Sequence, residues 1–75
     1  MQDPVRVRKN FGERVRSLRA ARGWSQERLA LESGLGRGFM GSVERGEKAP
    51  GMPTLCKLAR VFEMSLSRLL EGIDE

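Results

Sequence analysis

The chain has 75 residues, enough for one domain with one modest core. A formal charge of +4, one cysteine and no histidine exclude an intrachain disulfide and a zinc site of the usual kind. No run approaches the ~20 apolar residues of a membrane span and no signal-type segment opens the chain, so the expected location is the cytoplasm.

The charge is uneven: residues 1–28 hold eight Lys/Arg and three Asp/Glu, whereas residues 51–75 hold three and four. The basic end suits an acidic partner such as nucleic acid, and equally a solvated basic face. Residues 1–9, with a proline, three basic residues and no helical period, read as a flexible basic tail. Residues 10–72 read as the folded domain and 73–75 as a short acidic tail. Asn10 is placed to cap a first helix in which Phe11, Val15, Leu18 and Ala21 recur at helical spacing, and Gly23 stops it.

Ser25 is the expected cap of a second, very short helix, with Trp24 and Leu29 spaced as a hydrophobic staple; Gly34 ends it. A third helix is expected over about residues 36–45, with Leu35, Met40 and Val43 facing inward and Gly46 closing it. Pro50 and Gly51 break the chain before a fourth helix carrying Leu55, Leu58, Ala59 and Phe62. Ser65 caps a last short helix with Leu66, Leu69 and Leu70, ended by Gly72. Nothing reads as a strand, so the fold class is all-α. Cys56 falls in an apolar-periodic run and is expected as a buried structural thiol. The run Gly36–Gly41 matches G-x-G-x-x-G literally, but a dinucleotide site needs a preceding strand, and none is expected.

The informative stretch is Gln26–Arg45, QERLALESGLGRGFMGSVER, read as helix, glycine turn, helix. Two short helices joined by such a turn cross steeply. Ala30 supplies the small residue at the crossing, and Gly34 supplies positive φ in the turn. The outer face of the third helix is then free to enter a major groove.

The longer run GWSQERLALESGLGRGFMGSVERGEKAP resembles the Cro/repressor-type (XRE) helix-turn-helix family: a Ser-Gln start, a Leu-Ala pair, a Gly turn and a Glu-Arg-Gly close. With residues 55–70 the resemblance covers roughly positions 10–71 and implies a compact five-helix bundle of the phage-repressor type that binds double-stranded DNA. It implies base-edge contacts from Arg37, Gly38 and Ser42, with Gly36 at the first exposed position, and phosphate contacts from Ser25, Gln26, Arg45 and Lys48. Free N–H groups and the helix dipole at Ser25 and Gln26 agree with an anion there. Glu44 is expected to pair with Arg19 as a structural ion pair. Ser33, at a commonly apolar position, is expected to loosen the turn, and Phe39 either packs at the domain edge or lies along the sugar-phosphate backbone. Gly36, Gly38 and Gly41 leave few side chains for reading bases, so Arg37 and DNA shape should dominate.

One domain of this size buries too little DNA for selective binding, so the expectation is a homodimer on a pseudo-palindromic operator. Leu66, Leu70, Ile73, Phe62 and Met64 are the candidates for its interface. The role expected is repressor-like or that of a restriction–modification controller, with no cofactor, metal or small-molecule effector; the alternative is an antitoxin-type module that also binds a protein. An enzyme is not expected, because no nucleophile–base pair or metal set is present.

Overall fold

In the computed structural model, which describes residues 3–75, the first helix starts well before the apolar period does. Helix α1 spans Pro4–Ala21, because Asp3 caps it by accepting a 3.0 Å hydrogen bond from the Val5 N–H and Pro4 needs no amide partner in the first turn. The expected tail over 1–9 is thus corrected for residues 4–9, which are helical; residues 1 and 2 lie outside the described part. The extra turns are held by tertiary contacts. Arg8 Nε donates to the Gly46 carbonyl at 3.2 Å, and Val7 and Phe11 line an apolar depression with Leu55, Leu70 and Ile73.

Asn10 is therefore not a cap. Its amide donates to the Ile73 carbonyl at 2.9 Å, and Arg14 Nη2 donates to the Arg68 carbonyl at 2.8 Å, so α1 ties down the C-terminal segment. Residues 73–75, expected as a short acidic tail, are in this way tied to α1 through the Ile73 and Glu75 carbonyls.

The remaining helices are α2 (Gln26–Ser33), α3 (Arg37–Glu44), α4 (Met52–Val61) and α5 (Leu66–Leu69), with no strand among the described residues. Phe11 and Val15 of α1, Leu29 of α2, Met40 and Val43 of α3, Leu58 and Phe62 at α4, and Leu69 of α5 form one buried core. Gly34 has φ +72°, and the turn closes with the Leu35 N–H on the Ala30 carbonyl at 3.1 Å. Ser33 does not loosen this turn: it is buried, its hydroxyl donates to the Leu29 carbonyl at 2.7 Å, and it accepts from the Leu35 N–H.

Two further expectations change. Cys56 is exposed, because α4 turns Leu58, Ala59 and Phe62 inward and leaves position 56 outside. Phe62 is 1% exposed, its ring stacked on Trp24 at 6.1 Å, so it is core and cannot face a partner. Leu66, Leu70, Ile73 and Met64 are half-buried.

Helices α1 and α3 meet at Gly12. A Cβ there would stand 2.5 Å from the carbonyl oxygens of both Val43 and Glu44. Backbone faces backbone, so no side-chain rotation relieves the clash. Gly12→Ala is expected to destabilise the fold by about 2–3 kcal/mol through overpacking, outweighing its helix-propensity gain of under about 1 kcal/mol. Urea denaturation of the two proteins checks this; equal midpoints would show that the helices are not in contact here.

Candidate nucleic-acid interface

Helix α3 has two unlike faces. Met40, Val43 and Glu44 are buried, while Gly36, Arg37 and Gly38 are exposed. Gly36 is the N-cap without a side-chain hydrogen bond, and α3 ends on Arg45. The inner face is held by one carboxylate. Arg19 grips Glu44 with Nε to Oε2 at 2.7 Å and Nη2 to Oε1 at 2.9 Å. Gln26 Nε2 donates to the same Oε1 at 3.1 Å, and Arg16 stands 3.7 Å away. Arg19 also donates to the Trp24 carbonyl at 2.9 Å, so α1, the start of α2 and the end of α3 share one network.

The electrostatics follow. Burial pushes the Glu44 carboxyl upward, but hydrogen bonds from Arg19 and Gln26 and the charges of Arg19 and Arg16 outweigh it and leave the group below its ordinary range. The hydrogen bond to Glu44 raises Arg19 against a smaller opposing effect of burial.

The outer face carries a shallow depression of about 360 Å³ lined by Gln26, Arg37, Gly38, Gly41 and Arg45. Three of the expected contact side chains and one expected glycine thus meet on one surface. Ser25 borders a neighbouring depression that Arg37 shares, and its hydroxyl is occupied in capping α2 by accepting from the Arg28 N–H at 3.1 Å. Gly36 and Lys48 are exposed outside the main depression, and Ser42 is half-buried. Phe39 is half-buried against the core, with the Lys48 ammonium 6.0 Å above its ring.

Both arginines in the depression have acidic neighbours. Arg37 lies 3.9 Å from Glu27, with both side chains largely exposed, a contact of little energy. Arg45 is held more firmly: Nε and Nη2 donate to the two Glu47 carboxylate oxygens at 2.9 and 3.2 Å. That hydrogen bonding lowers Glu47 and raises Arg45 from their ordinary values. The Glu47 clamp and the tie from Gln26 to Glu44 are absent from the sequence reading. The only signal for them was the two-residue spacing of opposite charges and the place of Gln26 at the first position of α2.

This is a helix-turn-helix whose second helix is anchored by its inner carboxylate and open on its outer face. A model of the helix-turn-helix family HTH_3 matches residues 15–69, and the chain belongs to that family. It is 42% identical over 64 residues to the control protein C.SmaI of Serratia marcescens, covering 85% of this chain and 76% of that protein. It is 39% identical over 62 residues to the SPbeta prophage-derived HTH-type transcriptional regulator YonR of Bacillus subtilis, spanning 83% of this chain but only 57% of that regulator. The restriction-modification controller protein C.AhdI of Aeromonas hydrophila superposes with a TM-score of 0.78 at 43% identity, covering 84% of this chain and 94% of that one.

Replacing Glu44 by Gln leaves the Arg19 guanidinium without its counter-charge and is expected to destabilise the fold by on the order of 3 kcal/mol. Because the Glu44 carboxyl is lowered on folding, its contribution is complete above the unfolded value of about 4.3 and is lost as pH falls through the folded one. Wild-type stability should therefore drop below about pH 4 more steeply than that of Glu44→Gln. Thermal melts of both proteins between neutral and acid pH check it; parallel curves would remove Glu44 from the linkage.

Proposed function

We propose that this chain is a sequence-specific DNA-binding transcriptional regulator that acts in the cytoplasm, without enzymatic activity, in the manner of a restriction–modification controller. The observation that carries the reading is the exposed outer face of α3, where two arginines line a depression with Gln26, and the carboxylates that touch them, Glu27 and Glu47, lie outside its lining. A duplex groove is polyanionic, and arginine can bond a guanine edge bidentately. The controller role is supported by the similarity to C.SmaI and C.AhdI, each matched over most of its own length.

In this reading α3 lies in the major groove with its N-terminal residues toward the bases. Arg37 reads a base edge, and the bare backbone at Gly36 and Gly38 lets the helix sit close to the duplex, beside Ser42. The first turn of α2, at Ser25 and Gln26, receives a phosphate through its free N–H groups, and Lys48 meets the backbone beyond α3. Two copies, related by a two-fold axis, address half-sites about one helical turn apart. Leu66, Leu70, Ile73 and Met64 form the contact between them.

Selection from randomised duplexes followed by fluorescence anisotropy tests the DNA reading. The selected site should bind with a steep inverse dependence on salt. Arg37→Ala should lower discrimination at one base pair by about 1–3 kcal/mol. Uniform weakening across all sequences would make Arg37 a phosphate contact, and failure to enrich any sequence would remove the proposal. Sedimentation velocity at micromolar concentration should show a dimer; a monomer both free and on the selected duplex would remove the two-fold arrangement.

A further inference from the structure

The end of α3 holds an arrangement that a simple phosphate contact does not require. Positions 37, 41 and 45 fall on one helical stripe at intervals of four. Position 41 is glycine, and a Cβ built there would stand 3.0 Å from Nη1 of Arg45 and 3.8 Å from its guanidinium carbon. The Arg45 side chain therefore folds back along the helix into the space that Gly41 leaves, as helical side chains lean toward the N-terminus. Its guanidinium comes to lie in the same depression as Arg37 and Gln26. Glu47 fixes it there by taking Nε and one Nη2 hydrogen, at 2.9 and 3.2 Å. Of the five guanidinium N–H donors, three remain free on the end that includes Nη1.

We propose that Arg45 is a second base-reading residue, seated by the gap at Gly41 and aimed by Glu47, and that the base it prefers is guanine. This deepens the DNA-binding reading above and rests on it. The C-terminal end of a recognition helix is ordinarily drawn away from the bases, since the N-terminal residues lead into the groove. Folding back over Gly41 returns the Arg45 charge to the middle of the helix. Arg37 and Arg45 are rooted about 12 Å apart at 1.5 Å per residue. The back-folding narrows the gap between their charged ends, so the two should address base pairs about two or three steps apart at 3.4 Å per step. Glu47 is a positioning residue. It takes the Nε edge of the guanidinium and leaves the terminal edge for the two acceptors of guanine, O6 and N7.

The test uses the duplex selected by the wild-type protein and all its single-base-pair variants, measured by anisotropy at two salt concentrations. Arg45→Ala should reduce discrimination about tenfold or more at one base pair distinct from the one lost in Arg37→Ala. Gly41→Ala should lose the preference at that same base pair, because its methyl displaces the guanidinium, while thermal melting confirms that the fold is intact. Glu47→Gln should weaken the same preference without touching the others. Uniform weakening of every duplex by Arg45→Ala, with a salt slope shallower by about one, would make Arg45 a phosphate contact and overturn the proposal. A preference retained in full by folded Gly41→Ala would also overturn it. If wild type selects no sequence, the DNA-binding reading itself falls, an outcome distinct from a wild type that selects while Arg45→Ala keeps its base preferences.

Discussion

A single buried carboxylate sets the geometry of this protein. Glu44 has no exposed side-chain surface, yet it meets Arg19 through two hydrogen bonds and Gln26 through a third. Ion pairs out of water return little net stability, because desolvation of both charges offsets their attraction. Their directional demand is what matters here. An arginine fork on α1 accepts the carboxylate in one orientation, and Gln26 ties the start of α2 to the same oxygen. Below this network the backbones of α1 and α3 touch at Gly12, so spacing is set by sterics and rotation by hydrogen bonds. Helix α3 has only eight residues and could not hold a helical shape alone. Its direction is a property of its anchors.

Much of this was legible in the amino-acid order. Ser25 and Ser65 announce their helices by capping chemistry, and each hydroxyl accepts from the N–H three residues on. Gly34 marks the turn because few other residues accept its φ. The pairing of Arg19 with Glu44 came through family resemblance rather than spacing, since residues 25 positions apart give no local signal. What escaped the sequence depended on distant partners. The first turns of α1 look polar and aperiodic, and they are helical because Arg8 reaches Gly46 and Val7 covers the apolar depression. Asn10 looks like a cap and instead bonds residues at the other end of the chain. Cys56 sits among apolar neighbours, and only the rotation of α4 on the core shows that it faces out. Helix α4 stops at a left-handed Glu63, φ 55°, where a glycine would have been easier to read.

The candidate site was less legible than the fold. The family resemblance singled out Arg37 and Arg45 as contacts at the start and just past the end of the third helix, but only their surroundings distinguish them. Arg37 has one loose acidic neighbour at 3.9 Å, whereas Arg45 is doubly bonded to Glu47 over a glycine. Spacing alone gives neither the direction of a long side chain nor the partner that restrains it. The glycines at 36, 38 and 41, one at the N-cap of α3 and two within it, illustrate the same limit. They look alike in sequence, yet only Gly41 has another residue's side chain filling the space its own would occupy.

Gly36 and Gly38 have open space where a Cβ would go. Substitutions on an exposed face away from packed contacts leave stability nearly unchanged. The interior of this scaffold is therefore insulated from its outward lettering. If that strip reads a duplex as proposed, descendants of the chain can move to new addresses on a genome by changes confined to it, while the carboxylate, the forked arginine and the touching backbones stay as they are. On that same proposal, duplicate copies in one cell can diverge into non-interfering switches without either having to relearn how to fold.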